Sequence, residues 1–293
     1  MKITRKGDNK WVINWPVKAI PKDVFKYVDT EIRATRSFGP TDYTGGFVDR
    51  IVKDVGTKFD AKLTIKQVTA IRKIVVKDKI MRGYGRMNAH IAHMSRLYAK
   101  NDILTLSMTK NFPPLNLLRG ILLHRGIPPS KVYSVFANKT DPAEILSGRD
   151  LEQFKIAEEH DAESTFNQRM ITAVAADNEI RVVNFFKSQG IGMKTQDDLV
   201  AEQVAEHGRA VITPDILFTD EVIINGRRVH WIDYKDYVGT PIKFLAESNL
   251  SQAARYVTKW GPGAMLYHYG FVEGFTIPDT QLLDMDGVKV VLL

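Results

Sequence analysis

The chain has 293 residues, of which 44% are hydrophobic, and it contains no cysteine. This length and composition allow one large or two modest domains with a buried core, and they exclude disulfide bonds. No apolar run approaches the roughly 18 residues that cross a bilayer, and the first residues lack the apolar region of a signal peptide. We therefore expect an intracellular protein with no membrane partner, nuclear if the source is eukaryotic and otherwise cytoplasmic.

Positive charge is concentrated in the first half of the chain. Residues 1–160 carry 29 Lys and Arg against 16 Asp and Glu, whereas residues 161–293 carry 12 against 18. Segregated basic charge is typical of proteins that bind a polyanion, because neutralised phosphates release condensed counterions. A solvated lysine-rich surface is the alternative. The asymmetry favours two domains, a basic nucleic-acid-binding domain at 1–160 and a second domain at 161–293, with DNA as the expected partner.

The basic half is predicted to be helical after a short hairpin near residues 2–14. Helices are expected over residues 20–35, 47–55, 63–80, 89–98 and 115–123, with a short segment at 103–108. Gly83 and Gly85 indicate a loop. Residues 139–161, which include Asp141-Pro142 and Ser147-Gly148, are typical of an interdomain connection.

Three short helices with tight turns in this half fit a helix-turn-helix. In that arrangement Asn116, Arg119 and Arg125 would face the groove or the backbone of DNA, and Lys110 and Lys131 would lie near phosphates. A helical bundle with a basic surface would show the same pattern.

The second half alternates helices and strands. Residues 177–190 are predicted to form a helix with apolar positions 180, 182, 183 and 186 and a glycine at its end. Asn225-Gly226, set between β-branched and aromatic runs, predicts a two-residue hairpin turn. A further helix is predicted over residues 242–260, where Gly261-Pro262-Gly263 ends it, and a last core strand follows over 264–269.

Two carboxylates and one lysine lie on the predicted hairpin. Successive side chains of a strand point to opposite faces, so Asp233 and Lys235 share one face and Tyr234 lies on the other. With Asp215 from the first strand, the carboxylates are ligands that Mg²⁺ or Mn²⁺ prefers while it contacts a phosphate. The ammonium can orient the nucleophile or neutralise charge that develops at phosphorus. Neither the Asp-x-Lys pattern nor the Pro-Asp pair is strong evidence for a metal site by itself, since Asp-x-Lys occurs by chance and Pro-Asp usually forms a turn.

The register of this hairpin requires an irregularity. If the ladder ran unbroken from the Asn225-Gly226 turn, Asp215 would lie opposite Asp236, on the face away from Asp233. Bulges are common beside active sites, where they redirect side chains. We therefore predict a bulge or bend at the polar interruption Thr219-Asp220-Glu221.

The hairpin residues resemble the PD-(D/E)XK nuclease superfamily. Three longer runs, Thr213-Pro-Asp-Ile-Leu217, Val229-His-Trp-Ile-Asp-Tyr-Lys235 and the segment 261–271 beginning Gly-Pro-Gly, are similar to the Thr-Pro-Asp (TPD) motif family that includes the codanin-1-interacting nuclease. The resemblance is clearest over residues 179–275 and weaker in the helical half.

This resemblance implies a restriction-endonuclease-like αβββαβ core, preceded here by the helical domain with its helix-turn-helix. It also implies a glutamate from the first helix, which is Glu179, with Glu163 as the alternative. Gln252 and Tyr256 are similar to a Gln-x-x-x-Tyr element that contacts substrate beside the metal, although Tyr256 is equally compatible with a core aromatic.

These features predict a hydrolase that cleaves phosphodiester bonds with Mg²⁺ or Mn²⁺. Asp215, Asp233, Glu179 and the backbone carbonyl of Tyr234 are the expected metal ligands, and Lys235 assisted by Gln252 would position the attacking water. A protein partner or a homodimer is compatible with this interpretation. The alternative function is a DNA-binding or scaffold protein in which the nuclease fold no longer cuts.

Overall fold

The structure is a computed structural model and describes residues 1–36, 38, 45–161 and 168–285, without the side chains of residues 45 and 168–176. The chain divides into two compact units, Met1–Lys26 together with Thr172–Leu293, called the sheet unit below, and Tyr27–Ile171, called the helical unit. This division differs from the predicted one at residues 160 and 161, because the first 26 residues belong to the sheet unit.

The described residues form eleven α-helices and seven strands. In chain order they are β1 (Lys2–Arg5), β2 (Lys10–Asn14), α1 (Lys22–Ala34), α2 (Gly45–Phe59), α3 (Ile65–Ala89), α4 (Ile91–Tyr98), α5 (Ile103–Lys110), α6 (Pro114–His124), α7 (Pro129–Phe136), α8 (Gly148–His160), α9 (Gln168–Ser188), β3 (Met193–Thr195), α10 (Gln196–His207), β4 (Ile216–Ile224), β5 (Arg227–Lys235), α11 (Lys243–Trp260), β6 (Gly263–Tyr267) and β7 (Thr280–Asp284). The predicted mixed α/β class is confirmed. None of the described helices has the length and apolar character needed to span a membrane.

All seven strands belong to one mixed sheet. Its order is β1-β2-β4-β5-β6-β7, and β3 pairs with β4 as well. The predicted N-terminal hairpin is confirmed, with Ile3 opposite Ile13, but its second strand also runs parallel to β4 and extends the sheet. Strands β4 and β5, which carry the predicted site, therefore lie in the interior of the sheet.

The β4–β5 hairpin turns at Asn225-Gly226 as predicted. Both residues have positive φ angles, 48° and 79°, which a two-residue turn between twisted strands requires. The ladder begins with Ile224 opposite Arg227 and then shifts, because Leu217 lies opposite Trp231 while Val222 lies opposite Val229. Between these two pairs strand β4 therefore advances five residues while β5 advances two. The predicted bulge is confirmed.

This bulge changes which aspartate lies opposite Asp215. The three extra residues are an odd number, so the side chains of β4 beyond the bulge change face relative to an unbroken ladder. With Ile216 opposite Ile232, the next pair outward is Asp215 with Asp233 instead of Asp215 with Asp236. Directly opposed residues of an antiparallel pair share a face, so both aspartates point to the same side of the sheet.

Hydrogen bonds from a neighbouring loop hold the bulge. The backbone N–H groups of Thr219 and Asp220 donate to the carbonyl of Gly192 at 2.9 and 3.2 Å. The Asp220 carboxylate in turn accepts from the Gly192 N–H at 2.8 Å and from the Trp11 indole at 2.9 Å. A Cβ on Gly192 would approach Asp220 Oδ1 to 2.5 Å, so the close contact requires glycine.

Two apolar layers cover the sheet. One layer contains Phe186 of α9 with Ile232 and Tyr234 of β5. The other contains Ala253 and Tyr256 of α11 with Trp231 of β5. Since side chains alternate along β5, Asp233 shares the α11 side with Trp231.

Helix α9 packs through a narrower stripe than predicted. Val182, Phe185 and Phe186 are buried, whereas Ile180 is 55% exposed. The expected packing of Ile180 is therefore wrong, because among residues 177–188 the buried side chains are those of Val182, Phe185 and Phe186. Helix α11 begins and ends within a residue of its prediction, with Ile242 as its N-cap.

The helical unit contains more helix than predicted. Helix α3, predicted over 63–80, begins after a Thr64 capping box and continues to Ala89. The loop predicted at Gly83 and Gly85 is therefore wrong. A Cβ at Gly83 would lie 3.1 Å from the Phe112 ring, so this glycine allows a close contact within a continuous helix.

The connection predicted at residues 139–161 is also a packed element. Helix α8 lies in this segment and buries Gln153 and Phe154. The Ile103 N–H donates to Gln153 Oε1 at 2.6 Å, which fixes α8 against the start of α5. Helix α7 was not predicted; it begins at Pro129, with Pro128 as its N-cap.

Candidate active site

Asp233 and Lys235 form the centre of the candidate site at the end of β5. Asp233 is 2% exposed, and its Oδ2 forms an ion pair with Lys235 Nζ. The Tyr234 side chain lies on the other face of β5, in the apolar layer of α9. Burying a carboxylate is costly unless it is paired, and the neighbouring lysine on the same face supplies that pairing.

Asp215 reaches the same place from the start of β4. The Tyr234 N–H donates to Asp215 Oδ2 at 2.6 Å, so the carboxylate contacts the backbone of β5 between Asp233 and Lys235. Burial raises the pKa of Asp215, and the charges of Asp233 and Glu179 raise it further, while the Tyr234 N–H and Lys235 oppose the shift. The predicted convergence of Asp215 with Asp233 and Lys235 is what the structure shows.

Helix α11 contributes Gln252 to the site. Its Oε1 accepts from Lys235 Nζ at 2.8 Å, and its Nε2 donates to Asp233 Oδ1 at 3.2 Å. One amide therefore contacts both members of the ion pair and restricts the position of the ammonium.

Tyr256 lies one helical turn beyond Gln252 and contacts the same carboxylate. Its hydroxyl is 3.1 Å from Asp233 Oδ1 and 3.2 Å from the Thr213 carbonyl, and it accepts from Gln252 Nε2 at 2.8 Å. Burial and then the charge of Asp233 raise the pKa of this phenol, so it remains a donor. Its ring packs on Trp231. Tyr256 is thus a core aromatic whose hydroxyl belongs to the site.

Glu179 lies in the interior of α9 and not at its beginning, since the helix extends to Gln168. Burial raises the pKa of Glu179, and the charges of Asp233 and Asp197 raise it further. The charge of Lys235 opposes this shift. The glutamate therefore contributes to the negative potential of the site. The alternative, Glu163, lies outside the described residues.

The donor set fits a divalent metal held by two carboxylates. In the described part of the chain no three His, Asp or Glu side chains form a group that could hold a metal ion, so Glu179 does not complete a three-carboxylate group with the aspartates. A hard cation such as Mg²⁺ is commonly bound by one or two carboxylates together with water and substrate phosphates. Among the described residues the Lys235 ammonium is paired with Asp233 Oδ2, and this buried oxygen accepts no further hydrogen bond there, so it can also face such an ion.

Sequence reasoning missed a second row of polar groups behind Asp233. The Tyr237 hydroxyl donates to Asn249 Oδ1 at 2.7 Å, and Asn249 Nδ2 donates to the Tyr267 hydroxyl at 3.0 Å. Asn249, Gln252 and Tyr256 occupy positions i, i+3 and i+7 of α11. A polar residue repeated at helical spacing inside an apolar face was the available signal.

The opposite face of β5 carries a separate network that was also missed. The Tyr234 hydroxyl donates to Asp236 Oδ1 at 2.9 Å and contacts His268 Nδ1 at 2.6 Å. Asn178 Nδ2 lies 3.3 Å from the same Asp236 oxygen. These groups orient Asp236 away from Asp233, which agrees with the face assigned by the bulge.

The residues predicted to contact DNA lie in the helical unit and have different environments. Asn116 is 7% exposed, so its predicted groove contact is wrong, because α6 buries this face. Arg125 forms an ion pair with Asp150 at 2.7 Å. Arg119 is half-buried, and Lys110 and Lys131 are exposed. The predicted nucleic-acid contacts of these four basic residues stay predictions.

Comparison with known proteins gives three findings. Residues 149–287 match the family described as protein of unknown function TPD sequence-motif. An uncharacterized protein of Acanthamoeba polyphaga mimivirus is 34% identical over 110 residues, covering 36% of this chain and 38% of that protein. CDAN1-interacting nuclease 1 of Xenopus laevis is 24% identical over 180 residues, covering 58% of this chain and 56% of that protein.

The chain thus spans less than two thirds of the length of either relative. No solved structure matches it.

Proposed function

Residues 149–287 belong to the TPD-motif family, and from the carboxylates, lysine and glutamine that the sheet unit brings together we propose that the protein is a metal-dependent nuclease. The observation that carries the proposal is Asp215 placed opposite Asp233 by the three-residue bulge, beside Lys235. A protein that is distantly similar to this chain is named a nuclease, which supports the same class of reaction. DNA is the proposed substrate.

The order of elements supports a PD-(D/E)XK type of core. Helix α9 is followed by the antiparallel strands β3, β4 and β5, then by α11 and by β6 parallel to β5. This is the αβββαβ order of a restriction-endonuclease-like fold, with α10 inserted between β3 and β4. The strands β1, β2 and β7 extend the sheet beyond that core.

In the proposed mechanism Asp215 and Asp233 hold Mg²⁺ or Mn²⁺, with the Tyr234 carbonyl as a further candidate ligand. The bound ion would polarise the scissile phosphate and lower the pKa of a coordinated water. Lys235 lies beside Asp233 and positions the attacking water or neutralises charge on the phosphate. Gln252 holds the ammonium in place, and the Tyr256 hydroxyl holds Asp233 Oδ1.

Glu179 has a different part in this proposal. It is half-buried and does not form a three-carboxylate group with the two aspartates. In this proposal Glu179 would contact a second ion or a water molecule, and its negative charge would help to attract a cation.

The experiment is a cleavage assay with labelled single-stranded, duplex and branched DNA and with RNA, with and without Mn²⁺. Wild type should cleave at least one substrate only in the presence of the metal. Asp233→Asn keeps the size of the side chain and should abolish cleavage, a loss of at least about 1,000-fold, because it removes a metal ligand. The matched control is Asp279→Asn at an exposed position of positive φ, which asparagine tolerates.

Two results contradict the proposal. Unchanged cleavage by Asp233→Asn would exclude this carboxylate from catalysis. Wild-type protein that is folded and cleaves none of these substrates with Mn²⁺ would favour the alternative of a binding protein that retains the fold.

A further inference from the structure

The helical unit contains a cavity of about 730 Å³ lined by basic side chains. Five of them are arginines or lysines, and they are Arg33, Lys79, Arg82, Arg86 and Lys110. His90 and His93 also line the cavity, and no Asp or Glu is among its lining residues. We call this space the cationic cavity.

One face of α3 supplies most of this charge. Lys79, Arg82, Arg86 and His90 follow one another at spacings of three and four residues, which places them on the same side of a helix. Gly83 lies on that side as well, and its missing side chain leaves room for the Phe112 ring, which a Cβ would approach to 3.1 Å. Basic groups and an apolar surface are thereby brought into one cavity.

Two of the arginines are fixed by a buried carboxylate. Arg33 and Arg82 form ion pairs with Asp78 at 2.8 and 2.9 Å, and Asp78 is 4% exposed. Arg33 also pairs with Asp29 at 2.9 Å. These contacts hold both guanidinium groups in the wall of the cavity.

The charges of Arg86 and Lys110 are not balanced by ion pairs with described residues. The side chains of Arg86 and Lys110 form no ion pair with any described residue, and both are exposed. Lys79 Nζ donates to the Thr35 carbonyl at 2.9 Å. Burial and then the charge of Arg33 lower the pKa of Lys79 to about 8. A bound anion would relieve this excess of positive charge.

Part of the cavity wall is apolar. Met94, Phe112 and Leu117 line the cavity and are 4%, 5% and 0% exposed. The volume lies within the range of about 300–1,000 Å³ that is typical of small-molecule sites, and a single phosphate would fill only a small part of it. The ligand should therefore combine a multiply charged anion with a flat or apolar group.

We propose that the cationic cavity binds a nucleoside phosphate, with its phosphates at Arg86 and Lys110 and its nucleoside against the apolar wall. Two sources share this chemistry, a free nucleotide and the phosphorylated end of a nucleic acid strand. The proposal goes beyond cleavage, because the site lies in the helical unit and needs no metal.

The test is a fluorescence anisotropy experiment on the full chain in EDTA at 150 mM NaCl. The labelled probes are a fluorescent ATP analogue and a DNA hexamer that carries fluorescein at its 3′ end and either a phosphate or a hydroxyl at its 5′ end. Tripolyphosphate serves as a competitor without a nucleoside. ATP should displace the bound probe at a concentration at least about tenfold lower than tripolyphosphate does, because only ATP also contacts the apolar wall.

Variants connect the binding to this cavity. Arg86→Ala and Lys110→Ala should each weaken binding by at least about tenfold, since each removes a charge-assisted contact. Arg96→Ala is the matched control, because Arg96 is exposed on α4 and does not line the cavity. It should leave the affinity unchanged.

The outcomes distinguish a free nucleotide from a strand end, and some of them would overturn the proposal. Binding of ATP alone assigns a free nucleotide, and binding of the 5′-phosphorylated hexamer but not of the 5′-hydroxyl hexamer assigns a strand end. Three results overturn the proposal: no binding of either nucleoside phosphate below millimolar concentration, equal displacement by tripolyphosphate, or an equal loss in Arg96→Ala.

Discussion

Asp233 of the sheet unit and two cations of the helical unit, Arg86 and Lys110, lie in opposite environments. In the sheet unit Asp233 is 2% exposed, and each of its oxygens contacts a specific group from β5 or α11. In the helical unit Arg86 and Lys110 are exposed at the edge of a cavity and form no ion pair with any described residue. The first arrangement holds a few charges rigidly, and the second accumulates charge of one sign.

This difference predicts different effects for substitutions at the two sites. A buried charge that loses its partner keeps its desolvation cost, so a change at the candidate active site should affect folding and cleavage together. An exposed cation has little effect on folding. A change at the edge of the cationic cavity should therefore affect ligand binding alone.

The largest effect is expected for Lys235→Met. Asp233 would then remain buried without its ion-pair partner, and the free energy of unfolding should fall by about 3–5 kcal/mol. Cleavage should fall by at least about 100-fold, because the ammonium no longer acts on the water or the phosphate. Urea denaturation and the cleavage assay measure the two effects.

Two further variants show whether the ion pair is the cause. Lys243→Met removes a lysine whose side chain is 79% exposed and should change neither quantity. The double variant Asp233→Asn/Lys235→Met removes both charges and should recover much of the lost stability while cleavage stays absent. A double variant no more stable than Lys235→Met alone would contradict this explanation.

The next largest effect is expected for the gain in stability when a metal ion binds Asp215. Its pKa is raised from 3.8 to about 8 in the folded chain, so between these values the folded state holds more protons than the unfolded state. Without metal, the stability that protonated Asp215 provides is present at acidic pH and is lost as the pH rises through this range. Mn²⁺ at about 100 times its dissociation constant should then restore roughly 2.7 kcal/mol.

Asp215→Asn supplies the comparison for this effect, since an amide does not titrate. Thermal unfolding measured in EDTA should show that raising the pH from 5 to 8 lowers the stability of wild type more than that of the variant. Mn²⁺ should stabilise wild type only. Equal stabilisation of both proteins by Mn²⁺ would show that the ion binds elsewhere.

A smaller effect is expected where the bulge contacts Gly192. In Gly192→Ala the new Cβ would overlap Asp220 Oδ1 at 2.5 Å, and the displaced carboxylate would weaken its bonds to the Gly192 N–H and Trp11. Overpacking of this kind costs about 1–3 kcal/mol. Stabilisation by Mn²⁺ should also decrease, because the bulge sets the face of Asp215.

Gly85→Ala is the matched control for this substitution. It adds the same methyl group to α3, where nothing lies within 4 Å of the added Cβ, and it should raise stability slightly through helix propensity. Loss of stability in Gly192→Ala without any change in Mn²⁺ stabilisation would show that the bulge tolerates the shift.

The two regions also differ in how much the sequence could predict. The hairpin depends on local rules, since Asn225-Gly226 defines the turn and the parity of side chains shows that Asp215 and Asp233 can meet only across a bulge. The contacts that hold the bulge could not be predicted, because Gly192 and Trp11 come from distant segments. Only tertiary structure brings them to Asp220.

In the helical unit the errors have a common cause. Gly83 and Gly85 were interpreted as a loop, and residues 139–161 as a connection, from local propensity alone. Packing overrides propensity in both places, because Phe112 fills the space beside Gly83 and Gln153 is bonded to the start of α5. Asn116 was assigned to DNA from its polar character, although α6 buries most of its surface.

The smallest effect is expected for the stability of Arg86→Ala, and it tests the comparison most directly. Arg86 is exposed and lacks an ion pair with any described residue, so the free energy of unfolding should change by less than about 0.5 kcal/mol. Urea denaturation of the variant measures this quantity beside its loss of nucleotide affinity. If Arg86→Ala instead unfolds as readily as Lys235→Met, the arginine is part of the framework of the helical unit, and the distinction between rigidly held charge and accumulated charge fails.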